Sequence, residues 1–106
     1  MKITIIGSTS YKSKMETYAA ELIAEGHEVC TPMFDSQEGF DELQICEWNR
    51  ENIIWADRVD IFWDCRSMGT VFDFGLAFAY WKPIKVVYLE PKTMMGVMKK
   101  YEAKVG

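Results

Sequence analysis

Apolar and polar positions follow two periods along this chain, and the changes of period outline its elements. Residues Lys2 to Ile6 (KITII) form a β-branched run that ends at Gly7, which indicates a short buried strand followed by a turn. From Ser13 to Gly26, apolar residues recur every three or four positions, which predicts an amphipathic helix. Ser13 and Glu16 are predicted to form its capping box, and Gly26 to end it.

The same alternation continues toward the carboxyl terminus. Further short strands are predicted at 27–33 (HEVCTPM), 59–63 (VDIFW) and 84–89 (IKVVYL). Further helices are predicted at 40–56, 70–81 and 93–103. The segment 34–39 (FDSQEG) has the composition of a loop. No repeat or linker interrupts the pattern, so we predict a single domain over residues 1–106.

Strands that alternate with helices predict a parallel sheet, because each right-handed crossover returns the chain in the same direction with its helix on one face. The predicted class is therefore α/β. If the strand order is 2-1-3-4, it reverses between the first and third strands, and ligands of such sheets bind outside the carboxyl ends of the strands at that point. The loops GSTSYK (7–12) and DCRSMGT (64–70) are then expected to face one crevice.

Composition and charge favour a protein partner over a nucleic acid or a membrane. Apolar residues make up 49% of the chain and aromatic residues 14%, which predicts that part of the surface meets a second subunit. The net charge of -4, with no basic cluster longer than Lys99-Lys100, argues against a nucleic-acid partner. No apolar run approaches a membrane span and no signal peptide is recognisable, so we expect a soluble, cytoplasmic protein without a membrane partner.

The three cysteines and the single histidine do not have the spacing of a disulfide framework or a zinc site, so neither a metal nor a cofactor is expected. Cys65 beside Arg66 raises the alternative of a phosphatase nucleophile. The loop lacks a phosphate cradle closed by a later arginine, which favours a small apolar filler instead. His27 follows Gly26 at a helix end, where a cation favours the helix dipole.

The loop GSTS after the first strand has two interpretations. A glycine directly after a buried strand, followed by a helix, is an arrangement in which backbone amides can cradle a phosphate. The loop lacks the further glycines of the dinucleotide fingerprint and the GK[ST] of a P-loop. A plain strand-to-helix turn capped by Ser10 or Ser13 explains the same residues. Both interpretations stay open from the sequence.

Asp73 is the single carboxylate in an almost wholly apolar run, VFDFGLAFAY (71–80). Thr70 as N-cap and Asp73 as N3 would form a capping-box-like pair, which the helix dipole favours by about 0.3–1 kcal/mol. The apolar neighbours also predict an enclosed first turn, where desolvation raises the pKa of Asp73 and the helix N-terminus lowers it. Opposed shifts of this kind occur at working carboxylates.

The order SxGxxxDxGxAxAxxKP from Ser67 to Pro83, with Gly7-Ser8 and Ala56-Asp57 upstream, resembles the nucleoside 2-deoxyribosyltransferase superfamily. The subgroup of 2′-deoxynucleoside 5′-phosphate N-hydrolases is most similar. The resemblance implies a flavodoxin-like (Rossmann-like) parallel sheet of four to five strands with helices on both faces, and a homodimer. It also implies that Asp73 attacks the anomeric carbon of the sugar and forms a covalent glycosyl intermediate.

Further substrate-binding residues follow from the resemblance. Ser67 stands where the phosphate-recognising enzymes have serine and the free-nucleoside enzymes have aspartate, which favours a 5′-phosphorylated ligand because a hydroxyl can donate to phosphate. Gly7 and Ser8 match the sugar-phosphate loop, and Tyr11 is near enough to line it. Gly69 belongs to the same motif as Ser67.

Two residues depart from the family's pattern. The nucleophile is normally Glu, and Asp73 is one methylene shorter, which withdraws the carboxylate by about 1.5 Å. A misplacement of ~1 Å costs on the order of 100-fold in rate. Asn49 aligns with a position usually held by Asp, which orients the nucleophile and assists the departing base. An amide can hydrogen-bond, but it cannot act as a carboxylate acid or base.

Three functions are compatible with these observations. The favoured one is an N-glycosidase or deoxyribosyltransferase acting on the N-glycosidic bond of a (deoxy)nucleoside 5′-monophosphate, with Asp73 as nucleophile and Asn49 in support. The alternative is a non-catalytic nucleotide-binding module of the same fold. The third is an assembly protein that uses its Trp and Met surfaces. Trp48 and Trp55 could stack a nucleobase, but their spacing along one helix favours packing against a partner helix.

Overall fold

The computed structural model describes residues 1–33, 39, 41–90 and 93–106. Over these residues, strands and helices alternate from end to end. In chain order they are β1 (Lys2–Gly7), a 3₁₀ turn (Thr9–Tyr11), α1 (Lys12–Ala24), β2 (Glu28–Cys30), α2 (Glu42–Trp55), β3 (Arg58–Trp63), α3 (Met68–Ala79), β4 (Ile84–Leu89) and α4 (Met94–Val105). Most of the predicted loop 34–39, and the predicted helix start at Phe40, lie outside the described residues.

The four strands form one parallel sheet in the order β2-β1-β3-β4, which confirms the predicted class and strand order. Gly7 at the end of β1 lies opposite Phe62 near the end of β3. The loops that follow these two strands therefore leave the same edge of the sheet. This edge includes the point at which the strand order reverses, where a ligand of such a sheet is expected.

Successive residues of β1 point to opposite faces of the sheet, and each face has its own core. Ile5 packs with Met15 of α1 on one face. Ile6 packs with Ile53 of α2 and Ala77 of α3 on the other. Helices thus cover both faces, as predicted, and the side that carries α2 and α3 also carries Asp73.

Asp60, in the middle of β3, is a fully buried carboxylate with three hydrogen bonds. Arg58 donates to it from Nε at 2.6 Å and from Nη2 at 2.9 Å, and the Tyr18 hydroxyl donates at 2.6 Å. Burial, and then the bond to Asp60, raises the pKa of Tyr18 to about 12. The network satisfies the buried charge and joins α1 to the sheet.

The predicted capping of α1 is wrong. The helix begins at Lys12, directly after the 3₁₀ turn, and its N-cap residue Tyr11 makes no side-chain capping bond. Ser8, rather than Ser10 or Ser13, acts as the cap, because its Oγ accepts from the Ser10 N–H at 3.3 Å. Because a 3₁₀ turn follows β1 almost directly, the capping residue is Ser8, five residues before the predicted cap Ser13.

None of the helices in the described ranges is both long enough and apolar enough to cross a membrane.

Candidate functional site

Asp73 lies in the second turn of α3, further into the helix than predicted. The helix begins at Met68, and its N-cap is Ser67, whose Oγ accepts from the Thr70 N–H at 3.4 Å. The predicted pair of Thr70 as N-cap and Asp73 as N3 is therefore wrong. Because capping ends with the first turn, it does not account for a carboxylate at position 73.

Burial controls the acidity of Asp73. The residue is only 7% exposed. Desolvation raises the pKa of its carboxyl from 3.8 to about 7. The helix N-terminus has little opposing effect, because its field falls off within the first turn. Near neutral pH, the charged and the neutral forms of this carboxyl therefore both occur.

Asn49 of α2 is the hydrogen-bond partner of this carboxylate. Its Nδ2 donates to Asp73 Oδ2 at 3.3 Å. The bond is long, so it stabilises the charged form less than burial disfavours it. Asn49 is half-buried one turn before Ile53, which packs in the core beneath α2. The packing of α2 on α3 thus brings together the two residues that the sequence named as the catalytic pair.

The loop between β3 and α3 is shaped by Asp64, a buried residue that the sequence did not single out. Its Oδ1 accepts from the N–H groups of Arg66 at 3.1 Å and Ser67 at 2.8 Å. Cys65, between Asp64 and Arg66, adopts a positive φ of 65°, a strained conformation for a residue with a side chain. An Asp side chain that accepts from backbone N–H groups two and three residues later is typical of a turn. This turn pattern in the sequence could have identified Asp64.

Ser67 has both a structural and a possible binding role. Its Oγ accepts from the N–H of Thr70 and, at 3.1 Å, from the Thr70 hydroxyl. With both bonds accepted, the Ser67 O–H can itself donate to a ligand. The N–H groups of Met68 and Gly69, in the first turn of α3, have no acceptor within the helix. A hydroxyl and a helix N-terminus therefore occur together at this corner.

Gly69 lies one turn before Asp73, on the same side of α3. A Cβ added at Gly69 would meet no atom within 4 Å. Side chains on a helix lean toward its N-terminus, so the carboxylate of Asp73 leans toward this open position. The absence of a side chain at Gly69 leaves the surface of the first turn open next to Asp73, which is itself 7% exposed.

We expect Gly69→Leu to block access to Asp73 without loss of stability. The space around the added side chain is open, and replacing a helical glycine gains about 0.5–1 kcal/mol. Ligand turnover or binding is expected to fall at least about tenfold. Urea unfolding and the activity assay measure the two effects. Ala20→Leu, at an exposed position of α1, is the control. Unchanged activity in Gly69→Leu would mean that the ligand does not approach over this position.

The start of the loop after β1 is set by packing. A Cβ at Gly7 would lie 2.8 Å from Met15 Sδ and 2.9 Å from both Cβ and O of Phe62. Gly7 is thus required for the close approach of β1, β3 and α1. The next residue, Ser8, forms a hydrogen bond with Ser10, and their Oγ atoms are 2.9 Å apart. These contacts give both predicted binding residues a structural role.

Tyr11 lies in the core, and a nearby cavity joins the two loops. Its hydroxyl donates to the carbonyl of Glu90 at 3.1 Å, and its ring meets Tyr88 edge-on at 5.1 Å. Desolvation, followed by the nearby Asp64 and Glu90, raises the pKa of Tyr11. Tyr11 and Arg66 line one cavity of about 240 Å³, so the loops after β1 and β3 do converge.

Asp73 lies apart from the two cavities nearest the loops. The larger one, about 610 Å³, is an apolar groove lined by Val71 and Phe74 of α3 and by residues of β3 and β4, and the smaller one is the cavity beside Tyr11 and Arg66. Asp73 is in the described lining of neither cavity. Its carboxylate faces Asn49 across the contact of α2 with α3. The site is therefore defined by this contact and by the open position at Gly69.

The remaining candidates from the sequence have ordinary surroundings. His27 Nδ1 lies 3.0 Å from the N-terminal amine. Trp55 is half-buried with Lys2 Nζ 5.7 Å from its ring centre, and Trp48 is exposed. Cys65 is an exposed free thiol. Within the part of the chain that the structure describes, no three His, Cys, Asp or Glu side chains are grouped to hold a metal ion.

No protein-family model matches the chain, and no curated protein matches it significantly. Any functional assignment therefore rests on the residues and on their geometry.

Proposed function

We propose that this protein acts on the N-glycosidic bond of a 2′-deoxynucleoside 5′-monophosphate, as an N-glycosidase or deoxyribosyltransferase, with Asp73 as the nucleophile. The observation that carries the proposal is a buried carboxylate, 7% exposed, whose pKa is raised to about 7. Ionising it in this place destabilises the fold. Neither a cap nor an ion pair among the described residues accounts for it. A buried acid whose pKa is raised by desolvation is typical of a working carboxylate.

The chemistry needs one carboxylate oxygen and one water. An oxygen of ionised Asp73 attacks C1′ of the sugar, and the bond from C1′ to the base nitrogen breaks. The electron pair of that bond leaves with the base, which takes a proton from water. Water, or a second base, then attacks C1′ and releases the sugar from Asp73, which restores the carboxylate. The Asn49 amide holds Oδ2 and so orients the carboxylate.

Phosphate recognition is assigned to the corner where α3 begins. The Ser67 hydroxyl and the first-turn N–H groups of Met68 and Gly69 can donate to phosphate oxygens. Arg66, whose N–H is held by Asp64, adds a positive charge next to them. Asp73 lies six residues after Ser67 on the same helix, so a phosphate bound at the corner places the sugar toward the carboxylate.

The experiment is a base-release assay with a panel of 2′-deoxynucleoside 5′-monophosphates and the matching free nucleosides. Wild type is expected to release free base from at least one nucleotide. Ser67→Asp keeps the helix cap, since Asp caps as well as Ser, but its charge repels the 5′-phosphate. We expect that variant to lose at least about tenfold in rate on nucleotides and little on nucleosides. No base release from any nucleotide at high protein concentration would refute the enzymatic proposal.

The alternative is a non-catalytic nucleotide-binding module. One observation favours it: the partner of Asp73 is the amide of Asn49, which cannot give a proton to the departing base. Calorimetry separates the two functions. A binding module would bind a 5′-monophosphate and return it intact after long incubation, whereas the enzyme would convert it.

The compartment proposed for this activity is the cytoplasm. Cys30, Cys46 and Cys65 are free thiols, and free thiols persist where glutathione keeps proteins reduced. A cytoplasmic location would also give the protein access to nucleotides.

A further inference from the structure

Helices α2 and α3 run in the same direction on one face of the sheet, because each of them connects two parallel strands. Two contacts hold them side by side along their length. Asn49 donates to Asp73 Oδ2 at 3.3 Å. Four residues further along each helix, Ile53 and Ala77 are fully buried in the same core cluster. A third contact, made by Lys82, lies beyond the end of α3.

The side chain of Lys82 closes the carboxyl end of α2. Its Nζ donates to the carbonyls of Ile54 and Ala56, at 2.8 Å each. The last carbonyls of a helix have no partner within the helix, and the helix dipole favours a cation beside them. Helix α2 has no basic residue in its own last turn. Lys82 therefore supplies both the hydrogen bonds and the charge that this helix end lacks.

The turn after α3 directs Lys82 toward α2. Trp81 adopts a positive φ of 57°, the conformation that glycine usually supplies after a helix. The Trp81 N–H donates to the carbonyl of Phe78 at 3.1 Å, and the Lys82 N–H donates to the carbonyl of Ala77 at 2.9 Å. Trp81 is 92% exposed, so its own packing does not hold the strained φ. The turn fixes the backbone of Lys82 on Ala77, the residue of α3 that packs beside α2.

We infer that Lys82 is a positioning residue for Asp73: it holds the end of α2 to the end of α3 and so maintains the hydrogen bond from Asn49 to Asp73. Lys82 lies nine residues after Asp73, at the other end of the helix contact. It therefore acts on the carboxylate only through the two helices. The inference rests on the role that the proposed function gives to Asp73.

The hydrogen bond from Asn49 to Asp73 is the contact most sensitive to sliding of the two helices. At 3.3 Å it is already long, and a further shift of about 0.3 Å would break it. The apolar contact of Ile53 with Ala77 is not directional, so it opposes separation of the helices more than sliding. The two hydrogen bonds of Lys82 are directional and oppose sliding. Without them, the register of α2 on α3 is no longer fixed at this end.

The test compares three variants. Lys82→Met keeps an unbranched side chain but donates no hydrogen bond, whereas Lys82→Arg keeps the charge and can donate to both carbonyls. Lys85→Met, at an exposed position of β4, is the control for the loss of a positive charge. Urea unfolding first establishes that each variant is folded.

The first readout is the ionisation of Asp73, followed by carbon-13 NMR of its carboxyl carbon during a pH titration. Burial already raises this pKa to about 7. We expect the pKa to rise further in Lys82→Met, because the Asn49 amide no longer stabilises the charged form. Lys82→Arg and Lys85→Met are expected to titrate as wild type. If Lys82→Met does not fold, Lys82→Gln, which is uncharged and shorter, is expected to raise the pKa in the same direction.

A double-mutant cycle with Asn49→Ala separates positioning from a long-range effect of charge. We expect Asn49→Ala to raise the pKa of Asp73, and Lys82→Met to add nothing to it in that background. A rise that persists in the Asn49→Ala background would overturn the inference, because Lys82 would then act through its field. An unchanged pKa in folded Lys82→Met would overturn it too, since Lys82 would then be only a helix cap.

The second readout is the base-release assay. Lys82→Met is expected to lower kcat about tenfold and to leave KM within about twofold, because the phosphate corner at the start of α3 is not disturbed. Lys82→Arg is expected to restore kcat. An unchanged kcat in folded Lys82→Met would contradict the inference. Absence of base release from wild type would refute the proposed function alone, because the titration of Asp73 decides the positioning role without turnover.

Discussion

Asp73→Asn is expected to stabilise the fold at neutral and alkaline pH by roughly 2–4 kcal/mol. Burial raises the pKa of this carboxyl from 3.8 to about 7, so ionisation is less favourable in the folded than in the unfolded chain. An asparagine keeps the shape and carries no charge. If the same variant loses base release, the acid is present for chemistry at the expense of stability.

The sign of the pH dependence follows from the direction of the shift. Between about pH 4 and pH 7 the folded protein binds more protons at Asp73 than the unfolded chain does. The contribution of Asp73 to the stability of wild type therefore falls as the pH rises through this window and is constant above it. The Asp73→Asn variant lacks this slope.

Urea unfolding of both proteins at about pH 5 and about pH 8 measures the effect. Glu47→Gln, an exposed acid of α2, is the control and should behave as wild type. Equal stability of wild type and Asp73→Asn at both pH values would contradict a desolvated carboxylate at position 73.

Arg58→Met is expected to destabilise the protein by about 3–5 kcal/mol, the usual cost of leaving a buried charge without its partner. The carboxylate of Asp60 is completely buried, and Arg58 supplies two of its hydrogen bonds, at 2.6 and 2.9 Å. After the substitution only Tyr18 would hold the charge. Methionine keeps most of the side-chain volume, so the loss is electrostatic rather than a loss of packing.

The matched control is the double variant Arg58→Met with Asp60→Asn. Removing the stranded charge should restore part of the stability, and the double-mutant cycle in urea separates the pair from each residue alone. A loss below about 1 kcal/mol in Arg58→Met would show that the pair behaves as an exposed salt bridge.

The layout of the fold could be predicted because it depends on local patterns. Short β-branched runs alternate with segments of helical period, and this alternation permits only parallel strands with crossover helices. The ends of the helices were harder to predict from the sequence. Met68 and Gly69 do not extend the apolar period of α3 backward, so Ser67 was not recognised as its cap. That error placed Asp73 in a capping role that it does not have.

Contacts between elements could not be predicted from spacing. The bond from Asn49 to Asp73 depends on the way α2 packs against α3, and only the resemblance pointed to this pair. The sequence indicated that apolar surface meets a partner and assigned it to Trp and Met surfaces, with Trp48 and Trp55 packing against a partner helix. Trp55 is instead half-buried beneath Lys2, and α3 carries the more exposed aromatic residues. Their outward direction became evident only when the position of the sheet was known.

The role of Asp73 as the nucleophile is tested by base release from 2′-deoxynucleoside 5′-monophosphates by wild type and by Asp73→Asn, followed across a pH range that brackets 7. We expect free base from wild type, at a rate that rises as Asp73 ionises with its pKa of about 7. We expect no release above background from the variant, although the variant is at least as stable. Release at an equal rate by folded Asp73→Asn would contradict the assignment of Asp73 as the nucleophile.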